Sequence, residues 1–223
     1  MSNVSVKSKV DYGQDVPWLV RTYVLVGTAL LGIGLWFIFK GLAIVFISQI
    51  GKKVIGNLLL DGLRLRGDET VLDVGCGRGL LLIGAAKRLP QGRVLGIDLW
   101  SQIDQGNNSK QATVANAVLE GVRDRIEVHD GDMRSLPFPN ASVDVVVASQ
   151  SIHNIPTREG RLTALREIDR VLKPGGKIAF MDVFCVKEYG EDLQRLGMQD
   201  VHVSGPSLWM SPPFRTVTAR KPA

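Results

Sequence analysis

The stretch Val71-Leu-Asp-Val-Gly-Cys-Gly-Arg-Gly79 constrains this chain more than any other. Its first four residues predict a buried parallel strand, glycines 75, 77 and 79 a tight turn, and residues 80–89 a helix. Strand, glycine turn and helix make the opening unit of a doubly wound α/β sheet, where glycines let backbone approach a ligand that a Cβ would push away. A second strand, Arg93-Val-Leu-Gly-Ile-Asp98, ends in an acid about 20 residues after the turn, the spacing of a carboxylate that binds ribose hydroxyls.

Two cofactor classes place an acid on a ribose, and the turn separates them. A dinucleotide site carries G-x-G-x-x-G and sets a pyrophosphate on the helix N-terminus. Here the pattern is G-x-G-x-G, with Asp73 two residues before the first glycine, an acid suited to a cationic amino-acid tail. The string resembles motif I of the class I S-adenosylmethionine-dependent methyltransferases. The resemblance runs on in family order from Lys53 to Lys221. Gly131-Asp-Met133 is similar to the adenine-binding acid position, Ser142 to Ser149 to the motif IV strand, and Leu172 to Asp182 to the turn and fifth strand. It implies an α/β, Rossmann-like sheet of seven strands in the order 3-2-1-4-5-7-6, with strand 7 antiparallel. It also implies S-adenosyl-L-methionine as cofactor, held by Asp73, Gly75, Gly77, Gly79, Asp98, Leu99, Asp132, Met133 and Ser149. Cys76 reads as a small residue in the turn, and Asp144 as serving the fold at the start of its strand.

Strands are expected near 70–74, 93–97, 125–129, 143–149 and 176–183, with helices near 52–61, 79–89, 108–120, 158–171 and 188–196. Two final strands near 200–204 and 214–220 would form a hairpin whose Leu208, Trp209, Met210 and Phe214 are candidates for a pocket wall or a membrane contact. No substrate-binding subdomain is inserted after the fifth strand, so the acceptor site must be roofed by the N-terminal region, surface loops or the membrane.

The chain has 223 residues, enough for one α/β domain and an appendage. The expected division is a polar arm with an anchoring helix over 1–51 and the catalytic domain over 52–223. Thr22 to Phe39 contains no charged residue. Eighteen helical residues would span ~27 Å, near a bilayer's hydrocarbon thickness. Trp18, Tyr23, Trp36 and Lys40 flank the run as interfacial residues do. Gly41 to Gly51 reads as a continuation of that helix or an interfacial segment, and a buried helix pair is the competing reading. A membrane protein with its catalytic domain facing the cytoplasm follows. Net charge is +5, but no arginine–aromatic stripe or nucleic-acid module accompanies it, so no nucleic-acid partner is expected. The two cysteines, Cys76 and Cys185, offer neither metal spacing nor a disulfide framework, and no metal is expected.

Methyl transfer needs an aligned nucleophile, and a base only where the nucleophile must lose a proton. The motif IV strand runs out as Ala148-Ser-Gln-Ser-Ile-His-Asn154 at the edge where ligands bind in open α/β sheets. His153 is the candidate general base, with Gln150 and Asn154 as orienting groups. The competing reading is that His153 and Asn154 only shape the loop. The acceptor is expected to be small and lipophilic or lipid-like. A protein side-chain methyltransferase near the membrane and a non-catalytic cofactor-binding scaffold are the rival functions.

Overall fold

The computed structural model describes residues 17–46, 52–101, 108–207 and 213–223, with the side chains of the first helix described from Leu25 to Phe39. Residues 47–51 and the hairpin residues Leu208, Trp209 and Met210 lie outside the described residues. The chain divides into two compact units, one ending at Val45 and the other beginning at Phe46.

The first unit contains α1, Pro17–Phe46, a helix of 30 residues. It runs through the uncharged segment and into part of the apolar stretch that follows, as the continuation reading expects. From Leu25 to Phe39 every described side chain is exposed. Among the described residues, no helix is long and apolar enough to cross a membrane. The fold therefore leaves the expected spanning segment without support.

The second unit is built on seven strands in the order β3-β2-β1-β4-β5-β7-β6. These are β1 Thr70–Val74, β2 Arg93–Asp98, β3 Ile126–Asp130, β4 Val143–Ser149, β5 Leu172–Asp182, β6 Gln199–Val203 and β7 Arg215–Arg220. Strands β1 to β5 pair in parallel, and β7 runs antiparallel to both β5 and β6. The helices are α2 Lys52–Gly62, α3 Leu80–Ala86, α4 Lys110–Leu119, α5 Arg158–Val171 and α6 Val186–Arg195. β5 starts four residues earlier than the sequence suggests, because Lys173-Pro-Gly-Gly176 is absorbed in a register shift against Val143 and Val145 of β4.

Strand side chains alternate between faces, and β4 shows what this does. Val145 and Val147 pack with Leu81, Leu82 and Ala85 of α3, while Val146 and Ala148 pack with Leu165 and Ile168 of α5 and Tyr189 of α6. Burial on both faces explains why these strands read as continuous apolar runs. Asp144, at the start of β4, accepts from the Thr70 N–H and pairs with Lys173, so it ties strands together. The parallel register brings Val74, Asp98, Ser149 and Asp182 to one edge of the sheet, which places the site.

Candidate active site

A cavity of about 870 Å³ opens at that edge. All nine residues expected to hold the cofactor line it. Its wall also includes Gln150 and Asn154, but not His153.

The glycine turn is pinned from both sides. The Gly75 and Cys76 N–H groups donate to the Ile97 carbonyl at 2.8 and 3.1 Å. Gly75, Gly77 and Gly79 all have positive φ. A Cβ on Gly75 would stand 2.2 Å from the Ser151 Cβ, so only glycine fits there. Ser151 is buried and donates to the Val74 carbonyl at 2.7 Å, locking the end of β4 onto the turn. Cys76 packs against Gly96, where a Cβ would come within 2.9 Å of its Sγ. Burial, then Asp73 and Asp98, push its thiol far up, which makes it an inert small residue.

Asp73 is buried, and its carboxylate accepts the Leu82 N–H at 2.9 Å. Helix α3 has no side-chain cap at Gly79, so Asp73 serves an early N–H of that helix from beneath. Burial raises its pKa to about 7, the Leu82 N–H pulls it down, and Asp98 pushes it up. Asp98 has its two oxygens on the turn and the following loop. Oδ2 accepts the Gly77 N–H at 2.8 Å, and Oδ1 accepts the Trp100 N–H at 2.6 Å and Asn108 Nδ2 at 3.2 Å.

Asn108 was not singled out from the sequence. It is buried, it lines the cavity beside Asp98, and its Oδ1 is an acceptor without a partner among the described residues. An unpaired buried acceptor beside an acid suits a ligand hydroxyl. Thr113 Oγ1 donates to the Gly77 carbonyl at 2.6 Å and steadies the turn from α4. No sequence motif marked either residue; only their position against the turn does.

Asp132 lines the cavity, but Arg134 grips it. Arg134 Nε lies 3.0 and 2.9 Å from its two oxygens and holds its pKa below the usual carboxylate range. The expectation of an adenine-binding acid meets a carboxylate already engaged by its neighbour two residues on.

His153 sits in a short 3₁₀ turn, Ile152–Asn154, just beyond β4. Its Nδ1 lies 2.5 Å from Asp182 Oδ1, a contact that becomes an ion pair when the imidazole is protonated. Asp182 is buried at the end of β5 and accepts the Val183 N–H at 2.7 Å and the Tyr189 hydroxyl at 3.3 Å. Burial and the nearby Asp182 charge push the Tyr189 phenol up, keeping it a donor. Phe184, largely exposed, meets the His153 ring edge-on at 5.6 Å between centroids. Asp182 could have been suspected from sequence: it is an acid closing an apolar strand beside β4. Phe214 does not reach this site. It is buried with Ile55 and Met181 and lines a different cavity.

Residues 72–180 match the family model described as a methyltransferase domain. The fold carries a TM-score of 0.59 to a SAM-dependent methyltransferase from Aquifex aeolicus at 23% identity, covering 74% of this chain and 88% of that one. Over residues 72–180, just under half of the chain, this protein is similar to that domain family, and its fold is the one such methyltransferases share. Demethylmenaquinone methyltransferase of Lactobacillus johnsonii is 32% identical over 123 residues, 54% of this chain and 46% of the relative. The methyltransferase domain also superposes on the [4+2]-cyclase SpnF with a TM-score of 0.66 at 22% identity, covering 77% of this chain and 82% of that one. That likeness concerns fold alone. The chain spans about half the length of the curated relatives it matches. S-adenosyl-L-methionine is the cofactor of this domain. The residues present fit it: a cradle only glycine can form, a buried acid, Asp73, of the charge that suits a cationic tail, and an acid and an acceptor, Asp98 and Asn108, of the kind that suits ribose hydroxyls.

Proposed function

We propose that this protein moves the methyl group of S-adenosylmethionine to a small lipophilic acceptor, with His153 as general base, and that it works at a membrane with its catalytic domain facing the cytoplasm. The observation that carries the catalytic part is the His153–Asp182 contact beside the cofactor cavity. When bound, the cofactor supplies a sulfonium-activated methyl group. Asp73, Asp98 and Asn108 would bind its polar ends, and the turn glycines would admit it. Gln150 and Asn154, on the cavity wall, would orient the acceptor. Asp182 holds Nδ1, so Nε2 is the nitrogen that takes the acceptor's proton, and the buried carboxylate stabilises the imidazolium that results. His153 stands beside the cavity, next to Asn154 of its wall.

The lipophilic part is supported by the exposed Phe184 ring against His153 and by the similarity to a demethylmenaquinone methyltransferase. The membrane part is supported by the uncharged Thr22–Phe39 run and its exposed side chains from Leu25 onward. The test is incubation of the purified full-length protein with methyl-labelled cofactor and lipophilic hydroxyl compounds. Label is expected in the organic extract and absent with His153→Ala. Label in protein would favour side-chain methylation instead, and bound cofactor with no transfer would favour a scaffold.

A further inference from the structure

The second unit carries another cavity, about 1120 Å³, that shares no residue with the cofactor site. It lies between α2 and the β7 side of the sheet. Its apolar part is formed by Val54, Ile55, Leu58 and Phe214. Val54 and Leu58 are 50% and 66% exposed, on a helix that otherwise packs against α3. Ligand sites are concave and mostly apolar with a few placed polar groups, and this volume is in their range.

Serines and threonines also line it, and its charged groups are mostly of one sign. Lys177 and Arg220 are direct cross-strand partners in the antiparallel β5–β7 pair. Like charges placed so are destabilising unless something compensates them. Arg64 joins them, since Lys177 Nζ donates to the carbonyl of the adjacent Leu63 at 2.8 Å. Arg220 Nε donates to the Gly175 carbonyl at 3.3 Å, so neither contact neutralises a charge. Among the described residues, none of the three cations forms an ion pair. Among the described residues, Asp200 is the one acid lining the cavity. Arg64 and Asp200 are both held at positive φ, 49° and 53°, backbone that ordinary residues rarely adopt.

We propose that this groove binds an anionic membrane lipid, with an acyl chain along Val54, Leu58 and Phe214 and the headgroup at Arg64, Lys177 and Arg220. The inference rests on the membrane reading above. An anion would relieve the Lys177–Arg220 repulsion, and an acyl chain would cover apolar surface that water otherwise meets. Only residues 47–51 separate the end of α1 from the start of α2 in the sequence.

The experiment uses the full-length protein in phosphatidylcholine vesicles doped with phosphatidylglycerol bearing a diazirine on its acyl chain. Adducts are located by mass spectrometry after irradiation. Adducts are expected on α2 around Leu58 and on β7, as well as in α1. Arg64→Ser with Arg220→Ser should lower the groove adducts about tenfold while leaving those in α1 unchanged. Leu58→Gln, an exposed position whose change spares the core, should lower them too. Adducts in α1 with a blank groove would overturn the lipid site and keep the anchor. Groove adducts with a blank α1 would keep the lipid site and overturn the anchor. Equal groove labelling by a neutral phosphatidylcholine probe, or cross-links from the groove to α1 or to a second copy, would overturn the proposal.

Discussion

Asp182 holds the Nδ1 edge of His153 from below, at 2.5 Å, and is itself fixed by Val183 and Tyr189. If His153 is the base, His153→Ala should lower turnover by ~10²–10⁴ with cofactor affinity unchanged. The rate should fall at acid pH, once the imidazole is protonated and can no longer take the acceptor's proton. Asp182→Asn should keep the loop but shift that pH profile, since the imidazolium loses its counter-charge. Wild-type turnover in His153→Gln would reject the base role and leave the methyltransferase assignment standing.

Asp73 gives a pH dependence of stability whose sign is opposite to that of most carboxylates. Its folded pKa, about 7, is raised above the ordinary value of 3.8, because burial disfavours the charged form. The unliganded protein is thus most stable, in this respect, below about pH 4. It loses stability as pH rises to about 7, by on the order of 4 kcal/mol for a buried group. Asp73→Asn should flatten this: its denaturation free energy, minus that of wild type, should grow between pH 5 and pH 8. The same variant should bind the cofactor poorly. Wild-type affinity should weaken below pH 7, because the cationic tail needs the ionised acid. A difference between the two proteins that does not change with pH would remove the argument.

Much of this site was legible because motif residues are adjacent in sequence: Asp73 and the three glycines sit on one strand and its turn, and Asp98 closes the next strand. The order of all seven strands followed from the resemblance to the methyltransferase family, and most element boundaries from apolar runs. What the sequence hid was pairing at a distance. Asn108 meets Asp98 across a loop, Ser151 meets Gly75 across two strands, and Asp182 meets His153 across 29 residues. None of these has a spacing rule, since the sheet's register makes the contact. Arg134's hold on Asp132 was local yet unseen, because both are common surface residues until a cavity forms between them.

The Gly75–Ser151 contact can be tested as a pair. Gly75→Ala places a Cβ 2.2 Å from the Ser151 Cβ and at a φ of 71°. The left-handed backbone alone costs ~1–2 kcal/mol with a side chain. Loss of cofactor binding and a lower melting temperature are expected. Ser151→Gly removes the opposing Cβ, so the double variant should recover part of both. Additive losses in the double-mutant cycle would mean that the two residues do not meet.

The anchor is tested by fractionation. Deleting residues 1–40 should move the protein from the membrane to the soluble fraction, with cofactor binding intact. Carbonate extraction of the full-length protein without detergent would contradict a spanning helix and leave α1 a peripheral role.

Asp98 raises a subtler question, because it serves the fold and the ligand together. Removing it frees the Gly77 and Trp100 N–H groups as well as any ribose contact. Asp98→Ala should weaken cofactor binding by at least ~1.5 kcal/mol, about tenfold, as expected for hydrogen bonds to a charged group. A loosened turn alone would also do this. Asn108 separates the two, since it touches Asp98 and the Ser101 carbonyl but not the glycine turn. Asn108→Ala should cost about 1 kcal/mol of affinity with little change in melting temperature. The decisive readout is discrimination between adenosine and 2′-deoxyadenosine as competitors. Wild type should prefer the ribose, and both variants should lose most of that preference. If Asp98→Ala binds more weakly yet discriminates as wild type does, the acid holds the turn and not the ribose.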